Sequence, residues 1–449
     1  MVQVVAQVGH VREANGPRRP PAGPVGRAPY ASRVLLADPG SALRDAVSVV
    51  ALVGLLVVAF RHPRGRTEAL AGIVAAAAVL LIGAVGVDAA ADQVERMLPV
   101  VLFLAAVLVV AEACAAEGVF DAVGDAVRRA GRGDAHRVLL VTFLAASVIT
   151  AALSLDATVV LLTPVVAAAV AGSAAQRPVV HSCVRLANSA SLLLPVSNLT
   201  NLLALPDVAL SFGGWLLVMA PVWVVVIAVE YAGVRLFFAR DLRAAVPAPD
   251  RTLVHLPAFP VVVVVAMLAG FAVGSTYGVE PFWVAGAAAL VLGARSVRAG
   301  HFTAARALHA THLTFGVFVL CLGVVVAALD GSFLRDVVGD ALPGGDGLAA
   351  LLVLALVATV LANLVNNLPA TLLLVPLVAP LGTTAVLATL VGLNVGSGLA
   401  WPGSLANLLW RRALVRRGVP VSSATFHAHA ALVTPVALVA GVVTLWAVS

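Results

Sequence analysis

The sequence predicts an all-α polytopic membrane protein of two inverted repeats, with ten spans plus two broken-helix hairpins, twelve segments in all. Three observations predict it. The 449-residue chain is 61% hydrophobic and 11% charged, with a mean hydropathy of +1.05, a balance that soluble domains do not have. Apolar runs long enough to cross the hydrocarbon layer recur from about residue 46 to the C-terminus. Two of those runs are too long for one crossing and are interrupted midway, by "SLDAT" and by "NNLP".

Residues 1–45 stand apart. They are rich in Pro, Gly and Arg ("ANGPRRPPAGPVGRAPY"), lack a signal peptide's apolar centre, and read as a disordered tail or as an over-long start with the true one nearer Val34. Apolar segments then follow at about 46–60, 68–88, 97–117, 138–174, 179–204, 212–238, 256–276, 280–298, 306–329, 347–382, 384–410 and 424–447. Segments 138–174 and 347–382 are the hairpins.

The order of segments in 46–238 recurs in 256–449, after a linker at 239–255. "LSLDATVVLLTPVV" (153–166) is echoed by "LVNNLPATLLLVPLV" (364–378), and "LLLPVSNLTNLL" (192–203) by "GLAWPGSLANLLW" (398–410), with Pro-x-Ser recurring and Asn-Leu-Leu closing both. An odd number of crossings per half turns the second copy upside down. The 28 basic residues are all arginine. Alternating the loops places 20 of them on one side, Arg177 and Arg185 included, against Arg96 and Arg335 on the other and six in the tail. By the positive-inside rule the rich side is cytoplasmic and both termini lie outside the plasma (inner) membrane. Arginines scattered through short loops are topology signals, not a nucleic-acid footprint.

Irregular backbone in lipid survives only where protein or a wet cavity covers it. Four breaks at matching places in two repeats therefore point to a substrate site between half-helices. Pro195 and Pro402 remove backbone donors. Ser197, Asn198, Thr200, Asn201, Gly403, Ser404 and Asn407 lie beside them, and Ser154, Thr158, Asn366 and Asn367 lie at the hairpin tips. These are the candidate substrate ligands. Asp156, matched to Asn367, is the candidate proton carrier, since an isolated carboxylate among apolar residues is costly to ionise. Glu112 and Glu230 read as interfacial or paired, and His312 as buried and hydrogen-bonded. Cys114, Cys183 and Cys321 form no disulfide framework or metal spacing and read as small buried hydrophobes. No Walker A loop, Gly-x-Ser-x-Gly or zinc spacing occurs, so the chain reads as a non-enzyme without a cofactor or resident metal. Energy then comes from an ion gradient or from a soluble ATPase partner.

"LSLDATVVLLTPVV", "NNLPATLLLVP", "PGSLANLLW" and "VLFLAAVLVVAEACAAEGVFD" (101–121) resemble the arsenite permeases (arsenical pump membrane proteins) of the ion transporter superfamily, which also holds sodium–proton antiporters and dicarboxylate carriers. The resemblance covers residues 46–447. It implies scaffold and transport domains, a homodimer, and elevator-like alternating access. It gives Asp156 the role of hairpin acid, Asn366 and Asn367 that of the second tip, and Ser197–Asn201 with Gly403–Asn407 that of the broken spans. The tips Ser154-Leu155-Asp156 and Asn366-Asn367-Leu368 depart from the Ser-Asn-Thr of dicarboxylate carriers. "GSGLAWPGS" departs from the arsenite permeases, which carry a lysine before this Pro-x-Gly-Ser. The expected function is proton-coupled efflux of arsenite or antimonite, a small inorganic oxyanion or its neutral acid. Sodium–proton antiport or organic-anion transport is the alternative. The absence of a core arginine or lysine is expected to suit a neutral solute.

Overall fold

Polarity is arranged inside out. Leu217, Leu290 and Val74 expose 78%, 75% and 67% of their surface, while Asn201, Asn394, Asn407 and Glu230 expose none. Water would penalise such a surface by about 25 cal/mol for every Å² of apolar area, whereas lipid accepts it. In the computed structural model, described for residues 39–61, 65–243, 246, 255–329, 342–343, 345 and 347–449, every regular element is helical. Eight described helices have the length and hydropathy to cross a bilayer. The chain is a multi-pass membrane protein.

The first helices are α1 (Pro39–Arg61), α2 (Gly65–Leu81) and α3 (Val87–Ala116). α1 begins seven residues ahead of the expected segment. The proposed tail before it, residues 1–38, lies outside the described residues. α4 (Val119–Gly131) was not foreseen: it is amphipathic, burying Phe120 and Val127 while Arg128 and Arg129 hold the buried Asp125 carboxylate at 2.9 and 3.0 Å.

The first hairpin runs from α5 (Ala135–Ala152) through the turn at Leu153-Ser154 into a wide-wound stretch, Ala157–Leu162, and α6 (Thr163–Ala169). Pro164 explains the widening. It has no N–H and its ring crowds the carbonyl one turn back, so the chain loosens just before it. The Thr163 N–H and hydroxyl both reach back five residues to the Thr158 carbonyl.

The first broken span is α7 (Gln176–Ser189), an irregular stretch, and α8 (Leu199–Ala204); α9 (Phe212–Phe237) follows. Then come α10 (Ala258–Thr276), α11 (Pro281–Arg298), α12 (Ala304–Ala310) and α13 (Leu313–Ala327). The second hairpin is α14 (Leu348–Val365) and α15 (Asn367–Val378), and the second broken span is α16 (Thr383–Val395) and α17 (Leu405–Val415). α18 (Ser423–Val448) closes the chain.

Three apolar clusters hold residues 44–449 together. One joins α3, the first hairpin, α7, α10 and α11; a second joins α9, α14, α15, α16 and α18; a third joins α1, α2, α3 and α13. Both hairpin tips and both broken spans lie where the clusters meet.

Candidate functional site

The hairpin tips are built by capping. Ser154 Oγ accepts from the Ala157 amide at 3.2 Å, and Asn366 Oδ1 accepts from the Leu368 amide at 3.3 Å. Each satisfies a donor that a helix start leaves open. Ser154 and Asn366 thus share a role, which places Asp156 second after its cap and Asn367 first after its own. The one-to-one match of Asp156 with Asn367 is shifted by one position. Asn366 adopts φ 78° with ψ 152°, outside the left-handed helical region and in one that almost only glycine enters freely, and its Nδ2 donates to the Pro402 carbonyl at 3.0 Å. The first tip is tied similarly, since Ser197 Oγ donates to the Ala151 carbonyl at 2.6 Å.

The broken spans share one hydrogen-bond plan, displaced by 206 residues (188 to 394, 191 to 397, 201 to 407). Asn201 Nδ2 donates to the Ser191 and Leu194 carbonyls, and Asn407 Nδ2 to the Ser397 and Ala400 carbonyls. Ser191 Oγ donates to the Asn188 carbonyl and Ser397 Oγ to the Asn394 carbonyl, at 2.7 and 2.8 Å. Leu194 and Ala400 are both extended, and Asn198 and Ser404 both cap the helix that follows. In this register Trp401, not Pro402, stands where Pro195 does. The recurrence of Pro-x-Ser is offset by one residue from the recurrence of structure.

The two spans also interlock. Asn188 Nδ2 donates to Asn407 Oδ1, and Asn394 Nδ2 to Asn201 Oδ1, each at 2.8 Å. Asn198 Nδ2 and Thr200 Oγ1 both donate to Asn394 Oδ1. From the second hairpin, Asn363 Nδ2 donates to the Gly396 carbonyl at 2.9 Å while its Oδ1 accepts from the Ala400 amide at 2.9 Å. A Cβ on Gly403 would sit 2.2 Å from the Ser397 carbonyl oxygen, so only glycine permits this crossing.

A cavity of about 460 Å³ lies between the tips and the spans. Of the twelve residues expected at the site, Ser154, Asp156, Ser197, Asn198, Thr200, Asn366, Asn367 and Ser404 line it. Thr158, Asn201, Gly403 and Asn407 stand behind it: Thr158 is buried in a 2.7 Å hydrogen bond with Thr150, and the other three serve the crossing just described. Among the eight on the wall, Asp156 and Asn367 alone have side chains with no hydrogen-bond partner among the described residues. Of those eight, they are the two not already engaged by the protein. Farther out, the same cavity is bounded by Glu68, Glu112, His312, Arg412 and Arg416.

Two expectations about charge are corrected. Arg185 is not a loop residue: it is 3% exposed, and its Nε and Nη2 grip Glu230 at 2.9 and 2.7 Å. The core therefore does contain an arginine. Its Nη1 donates to the Gly398 carbonyl at 3.1 Å, reaching the basic-free "GSGLAWPGS" from another helix, and Ser189 Oγ completes the carboxylate at 2.8 Å. Neither Arg185 nor Glu230 touches the cavity wall. His312 is exposed on that wall and holds φ 47°, instead of being buried, because it starts α13 after a tight turn from α12. Glu112 is paired, with Arg306 Nε donating to it at 2.9 Å. Cys114 and Cys183 are buried, Cys321 is half-buried, and all three are free.

Sequence reasoning missed Arg185, Asn188, Asn363 and Asn394. The signal for two of them, Asn188 and Asn394, was the 206-residue displacement, which continues upstream of the motifs as "NSASLLLPVSN" against "NVGSGLAWPGS".

The citrate transporter family (CitMHS) matches residues 48–401, well over half of the sequence. The chain belongs to the citrate transporter family. This family member is 25% identical over 392 residues to the arsenical pump membrane protein of Yersinia enterocolitica, covering 82% of its own length and 90% of that relative. It is 26% identical over 339 residues to that of Escherichia coli K12, covering 71% and 79%. Its fold matches the YdaH transporter of Alcanivorax borkumensis with a TM-score of 0.56 at 17% identity, over 80% of this chain and 86% of that one. It is a membrane transporter and not an enzyme.

Proposed function

We propose that this transporter exports arsenite or antimonite across the plasma membrane in exchange for protons. The observation that carries the reading is the pair Asp156 and Asn367, two otherwise unpartnered polar groups facing one cavity whose polar wall, where the hairpin tips and broken spans form it, is otherwise hydroxyl and amide. Arsenite at neutral pH is mostly an uncharged trihydroxide. It needs several convergent hydrogen-bond partners and no fixed cation beside it. Arg185 does not disturb this match, because Glu230 neutralises it away from the wall. Asp156 supplies a carboxylate that exchanges a proton as solute enters and leaves. The names of the relatives in Yersinia and Escherichia point to the same cargo.

The reading includes an inverted repeat of 46–238 and 256–449 joined by the linker 239–255, supported by the shared hydrogen-bond plan of the two broken spans. It places the outer end of the cavity, with Arg412 and Arg416, on the arginine-rich cytoplasmic side, so the cavity is open inward. Both termini then lie outside.

A second reading has its own support. Arg412 in the last turn of α17 and Arg416, which caps that helix, both border the cavity, and the family is described by citrate. An organic anion would meet them on entry. Expression in an arsenite-sensitive host separates the two: export predicts lower intracellular arsenic and restored growth. Unchanged arsenic together with citrate accumulation would replace the first reading by the second.

A further inference from the structure

We propose that the cavity between the hairpin tips and the broken spans binds trivalent arsenicals in which an apolar group replaces one hydroxyl, the aryl arsonous acids above all. The inference rests on the arsenite-export reading and names a wider substrate class for the same site.

The cavity is larger than arsenite needs. It encloses about 460 Å³, within the range of about 300–1,000 Å³ of pockets that bury drug-sized ligands. Arsenite has four non-hydrogen atoms. At the roughly 30 Å³ that one water takes in the liquid, these fill about 120 Å³, about a quarter of the space.

Much of the remaining wall is apolar and ordered. α13 lines it with Phe315, Phe318 and Leu322, and α3 with Leu104, Val107 and Leu108. Spacings of three and four residues put each set on one face of its helix. The rings of Phe315 and Phe318 stack with centroids 6.3 Å apart and 26° between planes. This wall begins beside the polar pair. Leu155, next to Asp156, belongs to the apolar cluster of Val107, and Leu368, next to Asn367, to that of Phe318 and Leu322. Charge returns only at the rim, with Glu112 one turn beyond Leu108 and His312 capping α13 ahead of Phe315. A site for arsenite alone calls for no apolar band between its polar groups and its mouth.

An aryl arsonous acid matches both parts. Exchanging one hydroxyl of arsenite for a phenyl group leaves two hydroxyls on arsenic, one each for Asp156 and Asn367. The ring then turns toward Phe318 and Leu104, leaving water for an apolar and partly aromatic surface. The acid stays uncharged at neutral pH, as arsenite does, so the proton exchanged at Asp156 is unaffected. No covalent bond forms or breaks.

Counterflow in proteoliposomes tests the class without relying on a proton gradient. Vesicles holding the full chain are loaded with arsenite, and entry of radiolabelled arsenite is measured against external methylarsonous or phenylarsonous acid. One methylene in an apolar pocket is worth about tenfold or more, so the phenyl compound should halve entry at a concentration at least about tenfold below the methyl compound. Both meet thiols through the same arsenic centre, so their ratio isolates the ring. Leu104→Ala, at a half-buried position on the wall, should shrink that ratio at least about threefold. Phe318→Leu takes its place if Leu104→Ala does not insert. Equal potency of the two compounds on wild type, with arsenite counterflow intact, overturns the aryl class and leaves arsenite export standing. A ring preference that the variants retain in full overturns the wall as its cause. Absence of arsenite counterflow defeats the export reading and this one with it.

Discussion

Asn188 Nδ2 donates to Asn407 Oδ1 at 2.8 Å across 219 residues of sequence, joining one broken span to the other. Its counterpart, Asn394 to Asn201, has the same length. Both bonds are fully buried, where an amide that loses its partner keeps its desolvation cost. Amides that the sequence offered to a solute, Asn201 and Asn407, are thus spent holding the two broken spans together behind the cavity.

Replacing Asn188 or Asn394 by Ala should therefore destabilise the protein by about 1–3 kcal/mol. The two should lower the melting temperature of the purified protein by similar amounts. Asn367→Ala, which removes no described hydrogen bond, should leave melting unchanged. A reversed ranking would mean that the interlock is not what keeps the spans together.

Arg185 and Glu230 should behave as a unit. Removing one partner of a buried ion pair typically costs about 3–5 kcal/mol, whereas replacing both with apolar groups costs far less. Arg185→Met should thus reduce folded protein sharply, and Arg185→Met with Glu230→Met should recover much of it, as measured by fluorescence-detected size exclusion. Additive losses in the double variant would contradict this.

The inverted arrangement is testable at the returns of the two hairpins. Ala171 and Leu381 are exposed at the ends of the first and second hairpins. Single cysteines there, in a background without the native three, should label with an impermeant maleimide from opposite faces, Leu381→Cys from outside. Labelling of both from one face would refute the repeat.

The helices were legible because hydropathy and length dictate them, and the hairpins because "SLDAT" and "NNLP" break apolar runs. α4 was not, since its Arg and Asp face makes it too polar to register as apolar. Arg185 was misplaced for a related reason: it lies inside the apolar segment expected at 179–204, yet "QRPVVHSCVRLANS" is polar enough that its arginine was counted with the loops, whereas Pro178 to Ser189 are all buried. Composition cannot distinguish a solvated arginine from one whose carboxylate partner is 45 residues away. At the site, residue types showed where polar groups gather but not which are already bonded. Asn201 and Asn367 look equivalent in sequence, and only packing spends the first and leaves the second free to face the cavity.

Asp156→Asn should separate coupling from binding. The amide keeps size and hydrogen bonding but carries no exchangeable acid proton, so insertion and arsenite affinity should persist while arsenite-driven proton flux in proteoliposomes is lost. Asn367→Ala should do the opposite, raising the arsenite KM severalfold while each solute moved still exchanges a proton. Full proton flux in Asp156→Asn would remove that residue from coupling.

The last prediction concerns sulfur. Arsenic binds thiolates tightly, and three free cysteines invite the idea that they hold the cargo. Geometry argues otherwise. Cys114, Cys183 and Cys321 lie on α3, α7 and α13, and none borders the cavity. A tight thiolate site would also retain arsenic longer than turnover allows, whereas exchanging hydrogen bonds release it. A variant with Cys114, Cys183 and Cys321 all replaced by Ala should still lower intracellular arsenic in an arsenite-sensitive host, to within about twofold of wild type, because two small buried side chains and one half-buried one swapped for a smaller one cost little packing. Loss of export with normal membrane abundance would return the cysteines to the transport path and displace the hydroxyl-and-amide cavity as the binding site.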